Sequence, residues 1–240
     1  MLLTKEFDYP DPWFLREFVG VINLFKPSVL IETGTYKGGM IKFISRLFPD
    51  LMIYSCDVIK QVQDVITEFE DNPNITIEQC NSLDFLKHLR EDGEHYIGPF
   101  PFFFLDAHSA VVPDYPTDEN LEPLAEEIKE VLKYGSSIAC IHDFEVPNIP
   151  EFGHGSNDMY LKKQIKISLE VIKDTIRHEN VAIYFPMLPQ RLLCKDKVNW
   201  RSLFDLRGRV YLLINPKPAD IELLRPLEQF GVLRRFTWPV

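Results

Sequence analysis

The sequence predicts a single α/β domain built on a mainly parallel, seven-stranded sheet with helices on both faces. Three observations predict it. Short apolar runs alternate with amphipathic segments from Ser28 onward, and such alternation requires crossover helices packed on a sheet. Glycines cluster directly after the first apolar run, in Thr33-Gly34-Thr35-Tyr36-Lys37-Gly38-Gly39. Several later apolar runs end in acids or histidines, as strands do when their carboxyl ends line a crevice.

The elements follow in order. Asp11 and Pro12 form a helix start, an acid able to cap and a proline suited to the first helical position. Phe14, Leu15, Phe18, Val19, Ile22 and Phe25 then recur on one face until Pro27. Ser28 to Thr33 reads as a strand, Gly39 to Phe48 as a helix, Leu51 to Asp57 as a strand and Gln61 to Phe69 as a helix. Ile75 to Cys80 is the third strand, Leu83 to Leu89 a helix, and Phe100 to Asp106 a strongly apolar fourth strand. Leu121 to Tyr134 makes the next helix and Ser137 to Asp143 the fifth strand. A helix with Ile165, Leu169, Ile172 and Ile176 on one side precedes two last strands, Val181 to Phe185 and Arg209 to Ile214, expected as a partly antiparallel pair. The predicted organisation is a helical extension over 1–27, the main domain over 28–215 with a surface excursion at 186–208, and a tail over 216–240.

Composition narrows the function. The chain has 240 residues, 45% of them hydrophobic, enough for one sizeable core. Its formal charge of -10 would repel a phosphate backbone, and no basic cluster offsets it, so nucleic acid is not expected as a partner. No segment approaches the roughly 20 apolar residues that span a bilayer, so a cytoplasmic protein without membrane contact is expected. Cys56, Cys80 and Cys140 each fall in a strand-like run and read as buried thiols rather than a disulfide framework. Phe230, Phe236 and Trp238 in the tail suit either a homodimer contact or the chain's own core.

The glycine loop is the natural floor of a ligand site. Glycine allows positive φ and close backbone approach, and the following helix offers unpaired N–H groups to an anion. Glu32 could receive a ligand ammonium group, and Asp57, ending the second strand, stands where doubly wound folds bind ribose hydroxyls. The spacing is not GxGxxG, which argues against a dinucleotide.

Over Ser28 to Glu145 these residues resemble the class I, S-adenosylmethionine-dependent methyltransferases, in particular the catechol-type and sugar- or natural-product-modifying O-methyltransferases. The resemblance implies a Rossmann-like fold. It implies that Glu32, Gly34, Thr35, Tyr36 and Gly38 hold the methionine part of the cofactor, Asp57 the ribose, and Asn81 with Ser82 the adenine. The runs Phe104-Leu105-Asp106-Ala107-His108 and Ile141-His142-Asp143-Phe144 also resemble that group. The resemblance implies Asp106 and Asp143 as ligands for Mg2+ or another divalent cation, with His108 as a third ligand or a base. Asp106 would also face the cofactor. His108, His142 and Asp106 are the candidate catalytic groups for removing a proton from the hydroxyl of a small-molecule acceptor.

Plainer readings compete. Asp106 could cap a turn and His142 satisfy a backbone carbonyl. Asn120 is not clearly placed as a further metal ligand, and His154 and Asp158 fall on an expected loop or lid. Met40 stands near where many relatives carry a hydroxyl residue, and Asn81 replaces an acid. A methyltransferase fold kept for binding or assembly is therefore the alternative function, and a metal-dependent hydrolase or hydroxylase a third.

Overall fold

The computed structural model describes residues 12–91, 97–107, 123–149, 156–158, 163–165, 167–187 and 207–238. The chain begins with α1 (Pro12–Phe25) and then alternates β1 (Val29–Thr33), α2 (Gly39–Leu47), β2 (Met52–Asp57), α3 (Val62–Phe69), β3 (Ile75–Gln79), α4 (Ser82–Glu91) and β4 (Phe102–Leu105). It continues with α5 (Leu124–Leu132), β5 (Ser137–His142), a small hairpin of β6 (Ser156–Asp158) and β7 (Lys163–Ile165), α6 (Leu169–Ile176), β8 (Val181–Pro186) and β9 (Arg209–Ile214). Helix α7 (Pro218–Gln229) and strand β10 (Leu233–Phe236) end the described chain.

One sheet runs in the order β10-β8-β9-β5-β4-β1-β2-β3. Strands β3, β2, β1, β4 and β5 are mutually parallel, whereas β9 lies antiparallel between β5 and β8, as the expected final pair requires. The sheet has eight strands rather than seven. The added strand is β10, antiparallel to β8 at the edge. Its sequence, Leu-Arg-Arg-Phe, lacks a strand's apolar alternation, and charged residues are common on edge strands because they discourage further pairing. Phe236 returns to the core edge-on to Phe185 and touches Trp238, while Phe230 is 83% exposed. The helix expected from Ile165 starts later, because Ile165 belongs to the β6/β7 hairpin, and Asp158 lies in β6 rather than in a loop.

Strict two-residue alternation divides each strand between two cores. Leu30, Ile53, Phe102, Phe104, Ile138 and Cys140 face α1, α2 and α7, while Val29, Ile31, Phe103, Leu105, Ala139 and Ile141 face α4, α5 and α6. Because parallel strands are buried on both faces, they read as continuous apolar runs.

Helix α1 is an integral part of the first core. Phe14 and Phe18 pack on each other and on Phe104, and Phe18 also meets Phe102. On the same face, Glu17 is 5% exposed and accepts two hydrogen bonds from Arg209, at 2.9 and 3.0 Å. The Arg209 guanidinium also lies over the Phe14 ring, 5.1 Å from its centroid. Two desolvated charges are tolerable only because this fork-to-fork geometry pairs them. Glu17→Ala should therefore cost about 3–5 kcal/mol by leaving a buried guanidinium without its carboxylate. Denaturant unfolding checks it, and a loss below about 1 kcal/mol would contradict this role for the pair.

Candidate active site

The carboxyl ends of β1, β2, β4 and β5 converge around the glycine loop. Gly34 leaves β1 at φ 89°, and its N–H, like that of Thr35, donates to the Cys56 carbonyl. A Cβ on Gly34 would come within 2.5 Å of the Asp106 carbonyl oxygen, so only glycine lets the loop lie against the end of β4. Gly38, at φ 72°, opens α2, where a Cβ would strike Val65. Tyr36 takes φ 48°, a conformation uncommon for a bulky residue, and its ring is half exposed beneath the Lys37 ammonium.

Asp57 fixes this loop from β2. Its carboxylate accepts the Tyr36 N–H at 2.7 Å and the Ile59 N–H at 3.1 Å. Burial pushes its pKa up, opposed by those backbone hydrogen bonds. Each oxygen retains a lone pair able to accept a hydroxyl, so the placement fits a ribose-binding acid.

Glu32, 2% exposed, stands beside it on the α1/α2 face. The Ser55 hydroxyl donates to Glu32 Oε2 at 2.5 Å and meets the Thr35 hydroxyl at 2.6 Å. Burial drives the carboxyl up to about 8, against the Ser55 hydrogen bond and with added repulsion from Asp106 and Asp57. At neutral pH it holds a proton that an arriving ammonium group would displace.

Two expected contacts have local structural roles. Asn81 caps α4, its Oδ1 accepting the Leu83 N–H at 2.8 Å, and Ser82 is the buried first residue of that helix. Met40 is 3% exposed in the α1/α2 core, so the missing hydroxyl at this position faces packing rather than the crevice.

The ends of β4 and β5 meet as expected. His142 Nδ1 lies 3.0 Å from Asp106 Oδ1 and 3.6 Å from Asp143 Oδ1. Arg207 approaches Asp143 Oδ1 at 3.4 Å. Desolvation lowers the His142 pKa, but attraction to Asp106 and Asp143 and the Asp106 hydrogen bond together outweigh it and bring it to about 9. The cluster thus sets the His142 imidazolium and the Arg207 guanidinium beside the Asp106 and Asp143 side chains. Asp143 sits at φ 53°, a strained setting that acids tolerate better than most residues and that clusters at functional sites. His108, Asn120 and His154 lie outside the described residues.

The expected metal set is only partly matched. One ligand atom each from Asp106, His142 and Asp143 falls within 4.8 Å of the others, a spacing compatible with one ion. Magnesium prefers an all-oxygen shell, so two carboxylates and an imidazole suit a first-row transition ion better, and only once His142 has lost its proton.

Sequence reasoning missed Glu17, Arg207 and Arg209, and gave Glu127 no role beyond its place in the helix between the two strand-end runs. The available signals were an acid on the apolar face of α1 and an arginine opening an apolar strand. Arg209 pairs in register with His142, so the buried ion pair stands directly behind the cluster.

No protein-family model matches the chain, and no curated protein matches it in sequence. Solved structures do match in shape. The plantazolicin methyltransferase BpumL, solved with SAH, superposes at TM-score 0.51 with 15% identity over 89% of each chain. An O-methyltransferase family protein from Burkholderia thailandensis gives 0.52 at 11% identity, over 86% of this chain and 55% of the other. Spermidine synthase from Thermotoga maritima gives 0.51 at 11% identity, over 92% of this chain and 66% of the other. The fold is that of the class I methyltransferases.

Three buried groups hold protons more tightly here than in an unfolded chain: Glu32 at about 8, Glu127 at about 7 and His142 at about 9. The folded state therefore binds more protons between the ordinary carboxylate range and pH 9, and its stability should fall as pH rises through that window. Thermal melts from pH 5 to 9 should show the decline, and Glu32→Gln should reduce its slope. A melting temperature that rises from pH 6 to 8 would contradict these environments.

Proposed function

We propose that the chain is an S-adenosylmethionine-dependent methyltransferase acting on a hydroxyl group of a small molecule, within the cytoplasm. The observation that carries this reading is a convergence at adjacent strand ends. A glycine loop with Glu32 and Asp57 adjoins the Asp106–His142–Asp143 cluster, so a cofactor floor and a set of proton-handling groups share one crevice. BpumL and the Burkholderia protein support the choice of reaction through their own names, and spermidine synthase marks how far the fold alone falls short of it.

Bound on the loop, S-adenosylmethionine would supply an electrophilic methyl group on a sulfonium sulfur. The residues provide the rest. Glu32 would exchange its proton for the ligand ammonium, Asp57 would accept ribose hydroxyls, and the first turn of α2 would face the carboxylate. His142, protonated and buried among Phe14, Phe104 and Asp106, orients Asp106 and is not itself the base at neutral pH. Asp106 is the more open acid, with its side chain 24% exposed against 15% for Asp143, and is the group placed to take the acceptor's proton. His108, next but one in sequence, is the further candidate base.

Calorimetry with SAH and a search for products one methyl group heavier test the reading together. Saturable binding is expected, and none at millimolar SAH would remove it. Affinity should tighten from pH 6 to 8 as Glu32 ionises more readily, and Glu32→Gln should flatten that dependence. Asp106→Asn should lower kcat by about 100-fold or more. A raised KM with kcat intact would confine Asp106 to cofactor binding.

A second reading, metal-assisted transfer, is favoured by the spacing of Asp106, His142 and Asp143. A transition ion there would lower the acceptor hydroxyl's pKa. Full turnover in EDTA by a protein shown to be metal-free would eliminate it.

A further inference from the structure

Glu127 is a carboxylate in a hydrocarbon position. Helix α5 turns Glu126 and Lys129 toward solvent, where they pair, and buries Leu124, Ile128 and Val131. Glu127 lies three residues after Leu124 and four before Val131, on the apolar face, and is 0% exposed. Glu17, the comparable buried acid of α1, has Arg209. Neither oxygen of Glu127 has a hydrogen-bond partner among the described residues, and Thr33 Oγ1 also has none. Burial raises its pKa to about 7, and the Ser82 and Thr33 hydroxyls oppose the rise.

Its surroundings are specific. Thr33 ends β1 on the α4/α5 face, Ser82 opens α4, and Asp106 follows β4, close enough to raise the Glu127 pKa. Cys56, whose thiol also senses Glu127, immediately precedes Asp57. Glu127 thus lies under the junction of β1, β2, β4 and α4, across the sheet from Glu32. A buried carboxyl is costly to hold in such a position, whereas a leucine or methionine there would pack at no such cost. Groups of this kind persist where function uses them.

We propose that Glu127 is a positioning residue for the adenosine end of the cofactor site, acting through the hydroxyls of Ser82 and Thr33 rather than by touching the ligand. The proposal rests on the methyltransferase reading. Ligand binding would order those hydroxyls against Glu127, which would hold the adenosine end in place through them.

SAH calorimetry and thermal melts on the full chain, with Glu127→Met and Glu127→Gln, test it. Glu127→Met should weaken SAH binding by about tenfold, the consequence of about one lost hydrogen bond, while its melting temperature stays level or rises. Glu127→Gln keeps the polar contacts and should bind within about threefold of wild type. In turnover, KM for S-adenosylmethionine should rise in the Met variant with kcat nearly unchanged. Unchanged SAH affinity in Glu127→Met would overturn the proposal, as would a Gln variant as weak as the Met variant. A drop in melting temperature with affinity retained would assign Glu127 to packing alone. If wild-type protein bound no SAH, the methyltransferase reading would fail first, a result distinct from a difference among the variants.

Discussion

The contact on which the site depends is the approach of Gly34 to the backbone of Asp106. A methyl group on Gly34 would lie 2.5 Å from the Asp106 carbonyl oxygen and 2.8 Å from the Ala107 nitrogen. With hydrogen there instead, the loop after β1 folds against the end of β4, and the Asp106 N–H reaches the Thr33 carbonyl at 2.9 Å. The same turn lets Gly34 and Thr35 donate to Cys56 and places the Tyr36 N–H on Asp57. Three strand ends are thereby fixed by backbone hydrogen bonds, which hold position more tightly than long side chains do. Glu32, Asp57 and Asp106 come together despite their mutual repulsion because the backbone leaves them no alternative.

That repulsion is distributed over both faces of the sheet. On the α1/α2 face, Glu17 is neutralised by Arg209, Glu32 holds a proton and leans on Ser55, and Asp106 is matched by His142. On the α4/α5 face Glu127 stands without a comparable partner. Glu17 belongs to the support, since its pairing is complete without any ligand. Among the described residues Glu32 has only a neutral hydroxyl, Ser55, against it and Glu127 has no hydrogen-bond partner, so neither is neutralised as Glu17 is.

The parallel strands and the glycine loop were legible in the sequence because each has a local signature. A strand buried on both faces must be apolar throughout, and a turn with two left-handed positions calls for glycine. Acids and histidines at the ends of Phe102–Leu105 and Ser137–His142 were legible for the same reason, as polar residues where apolar runs stop. The pairing of Glu17 with Arg209 and the burial of Glu127 were not. A charge inside an amphipathic helix ordinarily reads as solvent-facing, and only the three-dimensional pairing of β9 with β5 shows that Arg209 lies behind His142. Strand β10 escaped because two of its four residues are arginines, and its place follows from an edge left open by β8 rather than from its own pattern. Asn81, identified as a site residue, also caps α4 through its Oδ1, a role that any helix start favours.

Under the proposed methyltransferase reading, the charge balance of the cluster would bear on the class of acceptor. Asp106 and Asp143 face His142 and Arg207, so each of these two acids has a basic side chain beside it. A cationic acceptor would meet the imidazolium and guanidinium as well as the carboxylates and gain little from electrostatic attraction. A neutral hydroxyl loses nothing by that balance, and it can donate to Asp106 while the imidazolium holds that carboxylate in place. On that reading, methyl transfer to oxygen would consume one cationic sulfonium and release one proton, and a carboxylate oriented by a buried cation would be placed to accept that proton without reorganising.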